Sequence, residues 1–326
     1  MKNEKLNTKN TAIAMPAERN MNNPVQTGRR SAGNIIQKIG FYAFYPLLWL
    51  ISLLPFRALY ILSDVVFVPV FYVARYRRKM VGKNLKNSFP EKTGKEIRKI
   101  EKEFYHHFCD YFLETVKIPR ISVEEIRRRM VCENFDLVQD LIDQNRNVSV
   151  YLGHYGNWEW AAGIWTHYTQ TATPVNVYRK LKNPYLDEYF LRLRSHFGSK
   201  NVEKNSVFRN IVKMQKTEGR PVLLAFVADQ KPSANHIHYR TKFLNRQTPV
   251  LTGAERIART LDHAVVYLDI MKKSRGFYHA KIVLMTGHAK ETPEFKITEL
   301  YTRLIERSIL RNPAYWLWTH NRWKYK

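Results

Sequence analysis

The 326-residue chain carries 54 Lys and Arg against 28 Asp and Glu, a formal net charge of +26, with 44% hydrophobic and 13% aromatic residues. That much apolar material builds a core, which excludes disorder throughout, and the positive excess points to anionic partners: phosphates, an acidic protein or an anionic membrane. Two cysteines, Cys109 and Cys132, are too few for a disulfide framework or a structural zinc cluster and suit a reducing compartment.

Residues 1 to 33, rich in Asn, Lys, Thr, Arg and Gly without apolar periodicity, are expected to form a basic disordered tail. From Phe41 to Leu54 the chain is uncharged; after Pro55, Phe56 and Arg57 a second apolar run goes from Ala58 to Ala74, broken by Ser63 and Asp64. Each run is shorter than the roughly 20 apolar residues a perpendicular span needs, and the apolar region as a whole runs far beyond the compact core of a cleaved signal peptide. Arg29, Arg30 and Lys38 precede the runs and Arg75, Arg77, Arg78, Lys79 and Lys83 follow, so both flanks belong on the cytoplasmic side. A shallow hairpin with Pro55 at its tip, or one tilted span, meets these constraints. Residues 34 to 80 are therefore expected to be a membrane-anchoring helical segment, and 81 to 326 the catalytic domain.

Thr93 with Glu96, and Ser122 with Glu125, are spaced as capping boxes, and residues 93 to 145 are predicted helical. Beyond them short β-branched runs alternate with amphipathic ones. Strands are predicted at 148–152, 174–178, 222–228, 264–270 and 277–284, and helices near 157–168, 184–197, 206–217, 252–262 and 295–311. Such alternation predicts an α/β fold: a mixed, largely parallel sheet flanked by helices, with a membrane-associated helical segment at its N-terminus. Sites in such sheets gather where strands end.

The first of these strands runs into Gly153-His154-Tyr155-Gly156-Asn157-Trp158-Glu159. On a continuous helix, residues five apart point away from each other, so His154 and Glu159 meet only if His154 sits in a loop, which the two glycines permit. A neutral imidazole held at one nitrogen by a carboxylate is a general base. No G-x-S-x-G nucleophile elbow occurs, and both cysteines fall in segments predicted helical, so the base is expected to act directly on an acceptor hydroxyl.

The segment GHYGNWEW resembles the catalytic block of the bacterial lipid A late acyltransferases, the lauroyl and myristoyl branch of the lysophospholipid acyltransferase superfamily. Residues 177–184 (VYRKLKNP), Ala228-Asp229-Gln230, Asn312-Pro313 and the aromatic run from Tyr315 to Lys324 resemble later blocks in order, and Asn84-Leu85 and Phe89-Pro90 also fit. The resemblance covers about residues 35 to 326. It departs at Phe243-Leu244-Asn245, where the family shows an aromatic pair followed by Gly. The resemblance implies that His154 deprotonates a hydroxyl of a lipid A precursor, that Glu159 orients His154, and that the alkoxide attacks a thioester on acyl carrier protein. It implies a place for Arg179 near the reacting carbonyl or a substrate phosphate, and for Asp229 in the same site. Gly153, Asn157, Trp158, Lys182 and Gln230 are the implied substrate contacts. An inner-membrane enzyme on the cytoplasmic face of a Gram-negative bacterium is implied, with no cofactor. An aminolipid, glycerophospholipid or polyene acceptor would need the same chemistry.

Acyl carrier protein, a phosphorylated lipid A precursor and an anionic membrane all suit a charge of +26. Arg192, Arg194, Lys200, Lys204 and Arg209 cluster in one helix-loop region that could dock the carrier. His106, Asp110 and Glu114 share a helical stripe beside His107, and His236 and His238 a predicted strand face, but neither has the further ligands a metal needs. The positive charge is diffuse and no nucleic-acid-binding signature is present, so nucleic acid is not expected as a partner.

Overall fold

The computed structural model describes residues 27–167 and 171–325. The expected tail falls outside these residues up to position 26, whereas 27 to 33 open the first helix, α1 (Thr27–Leu53). Pro55 sits at the break before α2 (Phe56–Val68), which a π-helical turn, Pro69–Val73, prolongs. Phe56–Val73 is long and apolar enough to cross a membrane. Both apolar runs pack on α4 with part of their surface only: Phe44, Leu47, Leu50, Leu53, Ile61, Val65, Val68 and Val73 stay exposed. The interruptions in the second run face inward or carry charge pairs. Ser63 donates to Asp110 and Tyr60 to Glu114, while Asp64 is clamped by Arg275.

The chain continues through α3 (Arg78–Ser88), α4 (Gly94–Lys117) and α5 (Val123–Arg129). The Thr93–Glu96 capping box is complete. At Ser122 only half forms: the hydroxyl accepts from the Glu125 amide, but the Glu125 carboxylate turns to Arg128 and Arg129. The segment predicted wholly helical is interrupted by β1 (Met130–Glu133), so Cys132 lies in a strand, before α6 (Phe135–Asp143). Four residues are too few to announce a strand, and β1 exists because it pairs in parallel with a distant partner, residues 277–286.

The α/β part follows the expected alternation: β2 (Val148–Leu152), a 3₁₀ helix at Trp160–His167, β3 (Thr173–Tyr178), α7 (Pro184–Ser195), β4 (Lys200–Glu203), α8 (Val207–Glu218) and β5 (Val222–Val227). A two-stranded hairpin, β6 (Arg240–Phe243) and β7 (Arg246–Pro249), leads to α9 (Gly253–Thr260). Then come β8 (Ala264–Ser274), β9 (Phe277–Thr286) and α10 (Lys296–Arg311). The sheet order is β1-β9-β8-β2-β5-β3-β4, with the β8/β9 pair antiparallel and every other pair parallel.

Strand alternation divides the core in two. Tyr151, Leu224, Phe226, Val265 and Tyr267 meet α4, α8, α9 and α10 on one face. Val150, Leu152, Leu223, Ala225, Val266 and Leu268 meet α5, α6, α7 and the 3₁₀ helix on the other. The predicted helix at 157–168 is thus a 3₁₀ segment. It lies so close to α5 that a Cβ at Gly163 would stand 2.2 Å from Ile126 Cγ1. His236 belongs to a short 3₁₀ turn rather than a strand.

The departure at Phe243-Leu244-Asn245 is a hairpin turn in which Leu244 (φ 48°) and Asn245 (φ 65°) both take left-handed backbone. Asn tolerates that region better than most side chains, and its amide fastens the turn to the Ser88 carbonyl. None of the three residues lines the cavity beside His154.

Candidate functional site

The site grows out of strand register. β2 and β5 run in parallel with Leu152 opposite Val227, so residues two positions beyond, His154 and Asp229, emerge side by side although 75 apart in sequence. His154 Nδ1 lies 2.5 Å from Asp229 Oδ1, and the His154 amide donates to Asp229 Oδ2 at 3.0 Å. Trp316 Nε1 donates to the same Oδ2 at 2.7 Å. The Asp229 side chain is 2% exposed and that of His154 18%. Burial alone would raise the Asp229 carboxyl; the charge and hydrogen bonds of His154, with the Trp316 bond, outweigh it and hold the group at about 2. The other imidazole nitrogen, Nε2, is met by the Gln230 amide at 3.1 Å.

The expected partnership of Glu159 with His154 does not form. Glu159 is closed instead by a bidentate pair with Arg194, at 2.7 and 2.9 Å, while both nitrogens of His154 are engaged elsewhere. Physically, Asp229 arrives on a neighbouring strand at bonding distance, whereas Glu159 turns toward α7. Burial would lower the Arg194 guanidinium, but Glu159 beside it holds it well above the usual range. Arg194, read from sequence as part of a docking surface, is therefore a half-buried residue of the cavity wall, paired with Glu159. Of the other four, Arg192 pairs with Glu188 and Lys200 with Glu218.

A cavity of about 520 Å³ opens beside His154. Its apolar wall is Val150, Leu152, Ala225, Val227 and Leu268 from one sheet face, roofed by Ala161, Ala162 and Trp165. His154, Trp158, Glu159, Arg194 and Gln230 line its polar part, and the exposed Arg179, Lys180 and Lys182 its rim. The rim loop is fixed where Leu181 N–H bonds Asp187 Oδ1 at 2.7 Å, and α7 starts cleanly because Asn183 caps the Tyr185 and Leu186 amides ahead of Pro184 at N1.

Three expected substrate contacts, Trp158, Lys182 and Gln230, line the cavity; two do not. Asn157 is fully buried, donating to Glu114 at 2.7 Å and accepting from the Trp160 amide, so it clamps the loop from behind. Gly153 is a packing position, where an added Cβ would stand 2.4 Å from Ile305 Cδ1. Glu114 also accepts from Tyr60 and Tyr278, and burial pushes its carboxyl up. Asp110 is held by Lys272, Arg275 and Ser63. The inward stripe of α4 thus braces the loop and the first helices. His107 joins it through Gly156 O at 3.1 Å, opposite the positive φ (62°) of Gly156.

Sequence reasoning gave Trp316 and Arg194 no part in the site. Trp316 had the signal of an unusual Trp cluster, Trp316, Trp318 and Trp323, but nothing in the spacing says which carboxylate its indole meets. Neither did any spacing announce Asp229 as the partner of His154.

The family model described as bacterial lipid A biosynthesis acyltransferase matches residues 27–325. The chain is 23% identical over 280 residues to the lipid A biosynthesis lauroyltransferase of Escherichia coli strain K12, covering 85% of this chain and 89% of that one. It is 20% identical over 278 residues to the lipid A biosynthesis palmitoleoyltransferase of the same organism and to a lipid A biosynthesis acyltransferase of Shigella flexneri, each alignment covering 85% of this chain and 88% of the relative.

Proposed function

We propose that this chain, which belongs to the bacterial lipid A biosynthesis acyltransferase family, moves a fatty acyl group from an acyl carrier protein thioester to a hydroxyl of a lipid A precursor at the cytoplasmic face of the inner membrane. It is an acyltransferase, and acylation of lipid A is the family's chemistry.

What carries this reading is the His154–Asp229 pair, whose imidazole lines a cavity with an apolar wall and a basic rim. Asp229 holds Nδ1–H, which leaves the Nε2 lone pair for the acceptor, once that hydroxyl has displaced the Gln230 amide. His154 takes the hydroxyl proton, the alkoxide oxygen bonds to the thioester carbonyl carbon, and the C–S bond breaks as the imidazolium returns its proton to the departing thiolate. The acyl chain lies along the sheet face under Ala161, Ala162 and Trp165. Arg179, Lys180 and Lys182 receive the phosphates of the lipid acceptor or of the carrier that brings the acyl donor. Glu159 neutralises Arg194 inside the cavity and so acts on the substrate path rather than on the base.

Mass spectrometry of lipid A from a deletion strain tests the reading. Loss of one acyl chain, restored by the wild-type gene but not by His154→Ala or Asp229→Asn, is expected. Unchanged lipid A with another lipid class altered would overturn the acceptor, and restoration by Asp229→Asn would overturn the dyad.

A further inference from the structure

We infer that Trp316 is a positioning residue for the reaction: its indole N–H, delivered by the carboxyl-terminal strap, fixes the Asp229 carboxylate in the orientation and charge state in which it holds His154. The inference rests on the His154–Asp229 reading above.

The strap from Asn312 to Trp323 is tied to the catalytic loop at three points. Gly156 N–H donates to Tyr315 O at 2.9 Å, Leu317 N–H to His154 O at 3.0 Å, and Tyr155 Oη to Asn312 O at 3.1 Å. Its far side is tied to the segment that follows the apolar helices, where Asn84 Nδ2 donates to the carbonyls of Trp318 (2.9 Å) and His320 (3.1 Å), and Arg77 Nη1 to that of Thr319 (3.0 Å). The indole ring is packed by Trp318 edge-on at 4.7 Å and by Phe243 and Trp323. So restrained, Trp316 Nε1 meets Asp229 Oδ2 at 2.7 Å, on the carboxylate oxygen that the imidazole does not use.

The charged and titratable groups facing Asp229 are His154, Arg322, His320 and Tyr301. Burial pushes the His320 imidazole down to about 4 and the Tyr301 phenol well up, so both are neutral at pH 7, while Arg322, pushed down to about 10, remains charged. Arg322 spends its Nη1 donor on Pro249 O, so it acts on Asp229 through its field, and Trp316 is the side chain that bonds Oδ2. Withdrawing the indole N–H concentrates negative charge on Asp229. The dyad then holds its proton more tightly, and the acidic limb of the rate profile moves to higher pH.

Trp316→Phe keeps an aromatic side chain in the packed position and removes the donor. The full-length enzyme should lose about tenfold in kcat with KM for the acyl donor within about twofold, and its acidic limb should rise by about half a pH unit or more. In an Asp229→Asn background the same substitution should change little further. A wild-type measurement covers a misfolded variant: one of the seven tryptophan indole N–H resonances should be exchange-protected and shift with the apparent pKa of the acidic limb. An unmoved limb with no titrating indole, or additive losses in the double variant, would overturn the inference. Full activity of Asp229→Asn would instead sink the dyad reading beneath it.

Discussion

At Asp229 a fully buried carboxylate stays ionised because its hydrogen bonds and the His154 charge outweigh desolvation. Its pKa, lowered from the ordinary 3.8 to about 2, makes it a stabilising group above the ordinary value, by about 2 kcal/mol. Denaturant titration should therefore show the stability gap between wild type and Asp229→Asn narrowing as pH falls through the ordinary carboxylate range toward 2. His154→Ala should cost roughly 10² to 10⁴ in turnover, because it removes the proposed base, and some stability as well, because it leaves the buried Asp229 carboxylate without its imidazole partner. Glu159 predicts a different signature. Its side chain is 5% exposed and that of Arg194 27%, so Glu159→Ala strands a guanidinium and should lower stability by about 3 kcal/mol. Glu159→Leu with Arg194→Met should recover much of it. Were the double variant no more stable than the single, the pair would not be what holds this wall.

At the scale of elements, the loop after β2 is over-determined by helices on both sides. Gly153 lies against Ile305 of α10, whose Cδ1 must swing aside to admit a methyl, so Gly153→Ala should cost about 1 kcal/mol, with Ile305→Val in the same chain restoring part of the melting temperature. The 3₁₀ segment lines the cavity with Ala161, Ala162 and Trp165. Ala162→Leu should shift the product toward shorter acyl chains, at about 0.8 kcal/mol for each methylene it displaces, read by mass spectrometry of the product lipid. An unaltered chain-length distribution would place the acyl group elsewhere. Strands with strong β-branched runs, such as β2 and β5, were legible in the sequence, and so were α7 and α10. β1 and β4 were not, because four residues of mixed character become strands only against a partner already in place.

Over the whole molecule, the exposed apolar residues of α1 and α2 and a net charge of +26 describe a surface fit for an anionic bilayer. Ile61→Asp with Val65→Asp should cut co-sedimentation with anionic vesicles several-fold while leaving the melting temperature nearly unchanged, since both side chains are already exposed. The amino-acid sequence by itself determined the alternation of strands and helices, the two apolar runs, and the block carrying His154, because periodicity and glycine placement are local properties. Only the folded chain decided which acid serves that histidine. Hydrogen bonding acts over about 3 Å, and what lies within 3 Å of His154 is set by the pairing of β2 with β5 and the return of the carboxyl-terminal strap, not by the five-residue step to Glu159.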